Sequence, residues 1–224
     1  MRPSAMPPSV PDRLDDLSYA HLLQPHVGPL RRDERYDTVH FDGGEYTDQA
    51  ANGATFLECA FTGVAMSGTK LRQARFNEVW VQGSRWVACD LSEGEWQDAS
   101  LLGGVLAGIA LHGSALRRVV LRQCKLEAVN LRAAVLRDVV FEDCVLRDVD
   151  FGDAKLTGVT FPGSSLEEVR LRGAKLSKTD LRGAVRLGLS DGHEGLRGAL
   201  ISSTQLFELA PQFAQALGIT VKDR

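Results

Sequence analysis

Residues 171–184 read LRGAKLSKTDLRGA. A large apolar residue returns at every fifth place, as Leu171, Leu176 and Leu181, and a small residue, Ala174 or Thr179, stands two places before the next one. The same frame runs back without a break to Phe41, through Phe161, Phe151, Phe141, Leu121, Trp96, Trp86, Phe76, Phe61, Phe56 and Tyr46. All 29 positions from Phe41 to Leu181 are apolar or aromatic, only Ala51 among them is small, and Arg186 ends the run. In the second column, from Val39 to Ala184, 28 of 30 positions are Ala, Val, Cys, Gly, Ser or Thr, the exceptions being Gln49 and Ile109. A self-similar period of this length is the signature of a repeat architecture and outranks local propensity.

A period of five matches neither the two-residue period of a strand nor the 3.6-residue period of a helix. Each unit is therefore a short extended piece and a bend. On an extended piece, residues two apart share a side, so the large and small columns both point inward and the residue between them points out. Glycine recurs two places after the large residue, as at Gly53, Gly63, Gly83 and Gly173, where the bend asks for unusual backbone angles. No proline occurs between Pro29 and Pro162, which suits stacked pieces that need every backbone donor.

A small residue, a polar one, Leu or Phe, then two variable residues is the unit of the pentapeptide-repeat family, which the chain resembles over residues 37–186. The resemblance implies an all-β solenoid, a right-handed quadrilateral β-helix with four pentapeptides per coil. It would have about seven coils and, at one strand spacing per coil, a length of about 35 Å. The expected domains are a Pro-rich tail and N-terminal helix over residues 1–36, the β-helix over 37–186, and a C-terminal cap or dimerisation module over 187–224. With Gly44, Gln49 and Ala51 at inward positions, the first coil is expected to be irregular. Residues 20 apart stack, so Glu127, Arg147 and Glu167 form a column of alternating sign, whereas Glu78 and Asp98 stack with like sign.

The 224 residues are 44% apolar and 25% charged, with 26 Lys and Arg against 29 Asp and Glu for a net charge of −3. That balance excludes collagen-like, disordered and disulfide-framework classes and argues against general nucleic-acid binding. The least charged stretch, residues 99–116, holds four glycines and keeps the repeat, so it is no membrane span. No secretory signal is visible at the start, and the reading is cytoplasmic and reduced. Cys59, Cys89, Cys124 and Cys144 all fall in the small inward column, where buried free thiols are the expectation; Cys124 and Cys144, stacked neighbours, are the pair a disulfide would join. No His or Cys sits at ligand spacing from another, and no nucleophile, acid–base pair or phosphate loop is recognisable. The expectation is no enzyme, no metal and no cofactor.

The ends depart from the repeat. Leu14, Leu17 and Leu22 suggest a short helix that covers the open first coil. Near the other end, LRGALIS (residues 196–202) reads as one more repeat. Ser203 then opens a helix with Leu206, Leu209, Ala210, Phe213 and Leu217 on one stripe, which Pro211 should split or kink and Gly218 should stop, before a short strand at GITV. This tail resembles the C-terminal helical module of family members linked to fluoroquinolone resistance. The resemblance implies a head-to-head homodimer through Leu206, Phe207, Leu209, Phe213 and Leu217.

Charge is uneven along the chain. Residues 37–98 hold 10 acids and 4 bases, a balance of −6, while residues 117–186 hold 10 acids and 14 bases, a balance of +4. Function must reside on the outward positions, and the expectation is a non-catalytic protein-interaction scaffold. The resemblance implies a more specific form, a DNA-mimicking modulator of DNA gyrase, for which Glu78, Asp90, Glu93, Glu95 and Asp98 would supply the acidic surface. The alternative is a different protein partner. Trp80 occupies an outward position, where it is either a contact residue or covered by the N-terminal segment. Direct DNA binding through Arg117, Arg118, Arg122, Arg132 and Arg137 is weakened by the interleaved acids.

Overall fold

A computed structural model describes residues 10–222. The chain winds into a parallel β-solenoid in which each short strand pairs with the one 20 residues later. One of two eight-stranded stacks begins with Arg35–Asp37, Thr55–Leu57 and Arg75–Asn77 and runs through Glu95–Gln97, Ala115–Arg117, Val135–Arg137 and Lys155–Thr157 to Lys175–Ser177. We call it the Phe76 face. A second stack, the Met66 face, runs from Glu45–Thr47 to Ser165–Arg170 and Arg186–Asp191. The Phe41 face is the third, from Val39–Asp42 to Val140–Glu142, and single bridges carry it on to Thr160 and Asp180. On the fourth, the Leu71 face, only isolated bridges link Ala50, Lys70, Asp90, Ala110, Asn130, Asp150 and Arg170. The eight strands of the Phe76 face mark about eight turns rather than seven, because Tyr36, one pentapeptide before the frame's start at Phe41, already stacks on Phe56 one coil later.

Every corner is made the same way. All 30 residues at five-residue steps from Asp33 to Lys178 have positive φ: 11 are glycine and 19 are not. The corner residue aims its N–H along the solenoid axis, as Gly53 does to the Arg72 carbonyl (2.9 Å) and Asp98 to the Arg117 carbonyl (3.1 Å). Glycine takes this geometry without strain, and Asp tolerates it better than most residues. Thr38, at φ 52°, is β-branched and carries the strain. The one coil with consecutive left-handed residues holds Gly43 and Gly44, in the first coil, where Gly44 replaces the small inward side chain and Gln49 remains partly exposed.

The inward columns form one continuous core. Its first half is aromatic: Tyr36, Phe56, Phe76 and Trp96 stack with centroid separations of 5.0, 4.9 and 3.9 Å. Its second half is mostly leucine. Such rings and aliphatic chains, each worth about 1.5–3 kcal/mol when fully buried, supply the stability of a fold with little else to bury. Polar members of the small column are satisfied across the coil. Thr69 donates to the Tyr46 carbonyl (2.7 Å), Ser114 to Leu91 (3.0 Å) and Ser164 to Phe141 (2.8 Å). The thiols of Cys124 and Cys144 repeat that bond to the carbonyls of Leu101 (3.3 Å) and Leu121 (3.4 Å). Serine, threonine and cysteine are thus used interchangeably at one site of the repeat.

The N-terminal segment differs from expectation. Residues 1–9, which hold most of the Pro-rich tail, lie outside the described residues. Leu14–Asp16 and Ala20–Leu22 are single 3-10 turns instead of one helix, and they do not cover the open coil. They lie lengthwise on the Phe41 face, with Leu17 and Tyr19 buried against Ala60, Trp80 and Leu102. We call residues 10–23 the strap. The next few residues close the end of the solenoid: Gln24–Pro25 adds a strand beside Val39 and His40, and the His26 ring lies 4.6 Å from that of Phe41.

At the other end, Ala199–Leu200 pairs with Thr179–Asp180 as the extra repeat requires. Helix α1 (Ser203–Ala216) is capped by Ser202 and Gln205, each side chain bonding the other's backbone N–H. Pro211 lies inside α1 and does not split it. The carbonyl it leaves unpaired belongs to Phe207, which is 77% exposed, on the side of the helix away from the core. Gly218, with φ 71°, ends the helix as expected, but residues 219–222 form no strand.

Candidate functional site

The structure spreads the five candidate acids from the Leu71 face across the Phe76 face, over both corners that bound it. Glu95 is an outward residue of the Phe76 face; Glu78 and Asp98 stand one coil apart at the corner that ends it. Glu93 is at the preceding corner, and Asp90 lies on the Leu71 face. The acids do not form an open negative surface, because most are already held. Arg72 and Gln73 bind the Glu93 carboxylate, Arg118 binds Asp98 through Nε at 2.5 Å, and Arg75 lies 3.7 Å from Glu95. Asp90 accepts from the backbone N–H and the hydroxyl of Ser92. The arginine hydrogen bonds hold the Glu93 and Asp98 carboxyls below their ordinary range. Glu78 is exposed, and its carbonyl, not its carboxylate, accepts from the Tyr19 hydroxyl at 2.8 Å. The like-charge stack of Glu78 and Asp98 is relieved by Arg118 on the far side of Asp98.

Trp80 is not a surface contact. It is 1% exposed, sits under Leu17 and Tyr19, and donates its indole N–H to the Pro11 carbonyl at 2.9 Å. The covering is reinforced by Gln82, which donates to the Asp12 carbonyl, and by the Asp12–Arg122 ion pair at 2.7 Å. A large apolar side chain in an outward column was the visible signal; its cover is 69 residues away in the chain.

The basic residues considered for DNA sort into two groups. Arg118, Arg122 and Arg132 are bound by Asp98, by Glu142 and Asp12, and by Asp150 and Asp153 respectively. Arg117 and Arg137 form no ion pair among the described residues. The expected alternating column forms in part: Arg147 binds Glu167 at 2.8 Å, while Glu127 turns to Lys125 at 2.7 Å.

On α1 the five carried residues divide. Leu209 is 1% exposed and packs into the core, and Phe213 packs partly against the core beside the His193 ring. Neither faces a partner, because Gln205, Leu209 and Phe213, spaced by four, are the stripe that lies on the last coil. Gln205 fixes that stripe by donating to the carbonyls of Leu181 (2.8 Å) and Ala184 (3.2 Å). Leu206, Phe207 and Leu217 face outward, at 49%, 77% and 76% exposure.

The chemistry available elsewhere is slight. The four cysteines are free and buried; burial pushes the Cys59 thiol up to about 11 and also raises Cys89. The Cys124 amide donates to the Cys144 sulfur at 3.4 Å, and that thiol is raised by its neighbour and by burial. Among the described residues, no group of His, Cys, Asp and Glu is arranged to hold a metal, and no helix is long and apolar enough to cross a membrane.

The family model described as pentapeptide repeat region matches residues 94–171. Among solved structures, the chain is similar to HetL, a pentapeptide repeat protein involved in heterocyst differentiation regulation from the cyanobacterium Nostoc sp.; identity is 16%, the TM-score 0.45, and the match covers 79% of this chain and 93% of that one. It is also similar to full-length QnrB1, a plasmid-mediated fluoroquinolone resistance protein, at 16% identity and a TM-score of 0.44, over 88% of this chain and 100% of that one. A pentapeptide repeat protein from the Arabidopsis thaliana thylakoid lumen matches at 24% identity and a TM-score of 0.43, over 49% of this chain and 76% of that one. No curated protein sequence matches the chain.

Proposed function

We propose that this chain, which belongs to the pentapeptide-repeat proteins, is a non-catalytic scaffold that presents the outward columns of a rigid rod to a protein partner. One observation carries the reading: the large and small columns that make up the repeat are spent on a continuous core, so variable chemistry is left only to outward side chains. The four free thiols support a reducing, cytoplasmic setting.

A DNA-mimicking modulator of DNA gyrase, of the kind linked to antibiotic resistance, is the specific form of this reading. Its support is the balance of −6 over residues 37–98. The arginines on Glu93, Glu95 and Asp98 weigh against it, since a mimic of a phosphate backbone needs acids that are free. The test is gyrase supercoiling, with and without a quinolone, at micromolar protein. Inhibition or protection, lost in the Glu78→Lys variant, supports gyrase as the partner. No effect removes gyrase and leaves a scaffold for another protein. Homodimerisation through Leu206, Phe207 and Leu217 belongs to the same reading, and their exposure supports it. Sedimentation of the wild type and of Phe207→Glu tests it: a dimer that the variant dissolves is expected, and a wild-type monomer at high micromolar concentration refutes it.

A further inference from the structure

The Phe76 face changes character along its length. From Ala115 onward its outward residues are Ala115, Arg117, Val135, Arg137, Lys155, Thr157, Lys175 and Ser177, with no acid among them. Strand register puts Arg117 directly beside Arg137, and Lys155 directly beside Lys175. Like charges directly opposite one another on neighbouring strands, about 4.8 Å apart, destabilise a sheet. Elsewhere on the rod most bases are answered: fourteen, including Arg118, Arg122, Arg132 and Arg147, hold an acid, and the unpaired ones, such as Lys70 and Arg85, do not stack on a second unpaired base. Arg117, Arg137, Lys155 and Lys175 are exposed and make no ion pair among the described residues. The fold gains nothing from them, and the pattern is the one expected of a surface kept for an anionic partner.

We propose that the strip of Arg117, Arg137, Lys155 and Lys175 binds an extended, carboxylate-rich segment of a partner protein. Three features select that occupant over a nucleic acid. The strip spans three coil steps, about 14 Å, and its two outward columns lie about 7 Å apart, which fits one extended chain. A duplex would overlie the flanking corners, where Asp138 and Asp153 stand, and would meet a protein of net charge −3. No aromatic residue faces outward on the strip, so it offers no stacking platform for single-stranded bases. Val135, 43% exposed beside Arg137's column, supplies an apolar footing for a hydrophobic residue among the acids. The inference rests on the scaffold reading but is independent of gyrase.

The test is a fluorescence-anisotropy titration of the full chain at low salt with three labelled probes: a Glu-rich peptide of about eight residues containing one Leu, its Lys-for-Glu counterpart, and a short duplex DNA. The acidic peptide is expected to bind, with affinity falling as salt rises. The double variant Arg137→Glu with Lys155→Glu is expected to weaken it at least about tenfold. The same variant places each new carboxylate beside Arg117 or Lys175, so its thermal midpoint should hold or rise, which separates lost binding from lost folding. Lys70→Glu and Arg85→Glu, exposed unpaired bases on other faces, should bind as the wild type does. Equal binding by the double variant, equal binding of the Lys peptide, tighter binding of the duplex, or no binding of the acidic peptide each overturns the proposal. None of these outcomes bears on supercoiling, and a negative supercoiling assay leaves this titration decisive.

Discussion

Replacing Trp80 with alanine should free the strap and leave the rod standing. Trp80 stands in an outward column, yet its indole is 1% exposed because Pro11, Leu17 and Tyr19 cover it. The coil around it does not depend on the indole: the Trp80 amide donates to Cys59, the Ser100 amide donates to Val79, and Val79 and Val81 fill the core. Truncating a buried tryptophan costs about 3–5 kcal/mol. Against that, with the Trp80 bond gone, the strap keeps two side-chain hydrogen bonds, from Gln82 and Tyr19, and the Asp12–Arg122 pair. The Asp12 side chain is 76% exposed, and such a pair is worth at most about 1 kcal/mol. Ordering each strap residue costs about 1–2 kcal/mol, so a loss of about 3 kcal/mol exceeds the margin. Amide exchange reads this directly. The Ala20, Leu22 and Leu23 amides, which donate to carbonyls within the strap, should lose about two decades of protection, at 1.4 kcal/mol per decade. The Val81 and Leu101 amides should be unchanged. Unaltered protection in the strap, or a fall of the full 3 kcal/mol in the urea unfolding of the coils, would show the reasoning to be wrong.

Thr38→Gly relieves a β-branched residue at φ 52° and should raise unfolding stability by a few tenths to about 1 kcal/mol, measured by urea denaturation; a loss of stability would mean that the hydroxyl matters more than the strain. The carboxyls of Glu93, Asp98, Glu167 and Asp191 are lowered chiefly by hydrogen bonds from Arg72, Arg118, Arg147 and Arg172. Their folded values lie below their unfolded ones, so their contribution is complete above the ordinary carboxylate range of about 4 and is lost as pH falls through the folded values. The urea midpoint should therefore be level from neutrality to about pH 5 and decline below about pH 4; a decline beginning near neutrality would contradict this. Ellman's reagent at mildly alkaline pH should find no reactive thiol in the native protein and four after denaturation, because all four cysteines are buried; a thiol reacting in the folded state would mean that the coils open.

The inward half of this structure was legible from residue spacing, because one rule repeated at every coil decides it. Ala51, the small member of the large column, is as buried as its neighbours, since its coil position rather than its size places it inward. The outward half was not, because it depends on approaches between residues far apart in the chain. Nothing local to Trp80 tells that Pro11 will cover it, and nothing local to Glu93 or Asp98 tells that Arg72 and Arg118 will reach across the coils to them. Glycines marked the corners correctly but understated them, since the geometry is imposed equally on Asp, Glu, Ala, Arg and Lys. On α1, the Leu and Phe spacing showed an amphipathic helix, but only the seat of Gln205 on the last coil shows which stripe is inside. Pro211 misled because it lies on the exposed side of α1, opposite the stripe seated on the last coil, where the lost hydrogen bond leaves no polar group buried in the core.

The strap's lengthwise course has a mechanical consequence. A pull applied at the start of the chain reaches the Pro11–Trp80 and Asp12–Arg122 contacts before any bond between coils. Those contacts lie along the rod and would be peeled in turn, whereas the coils beneath resist through whole ladders of backbone bonds. Tension should therefore lengthen the molecule first by the contour of the fourteen strap residues, about 45–50 Å, while the coils stay wound.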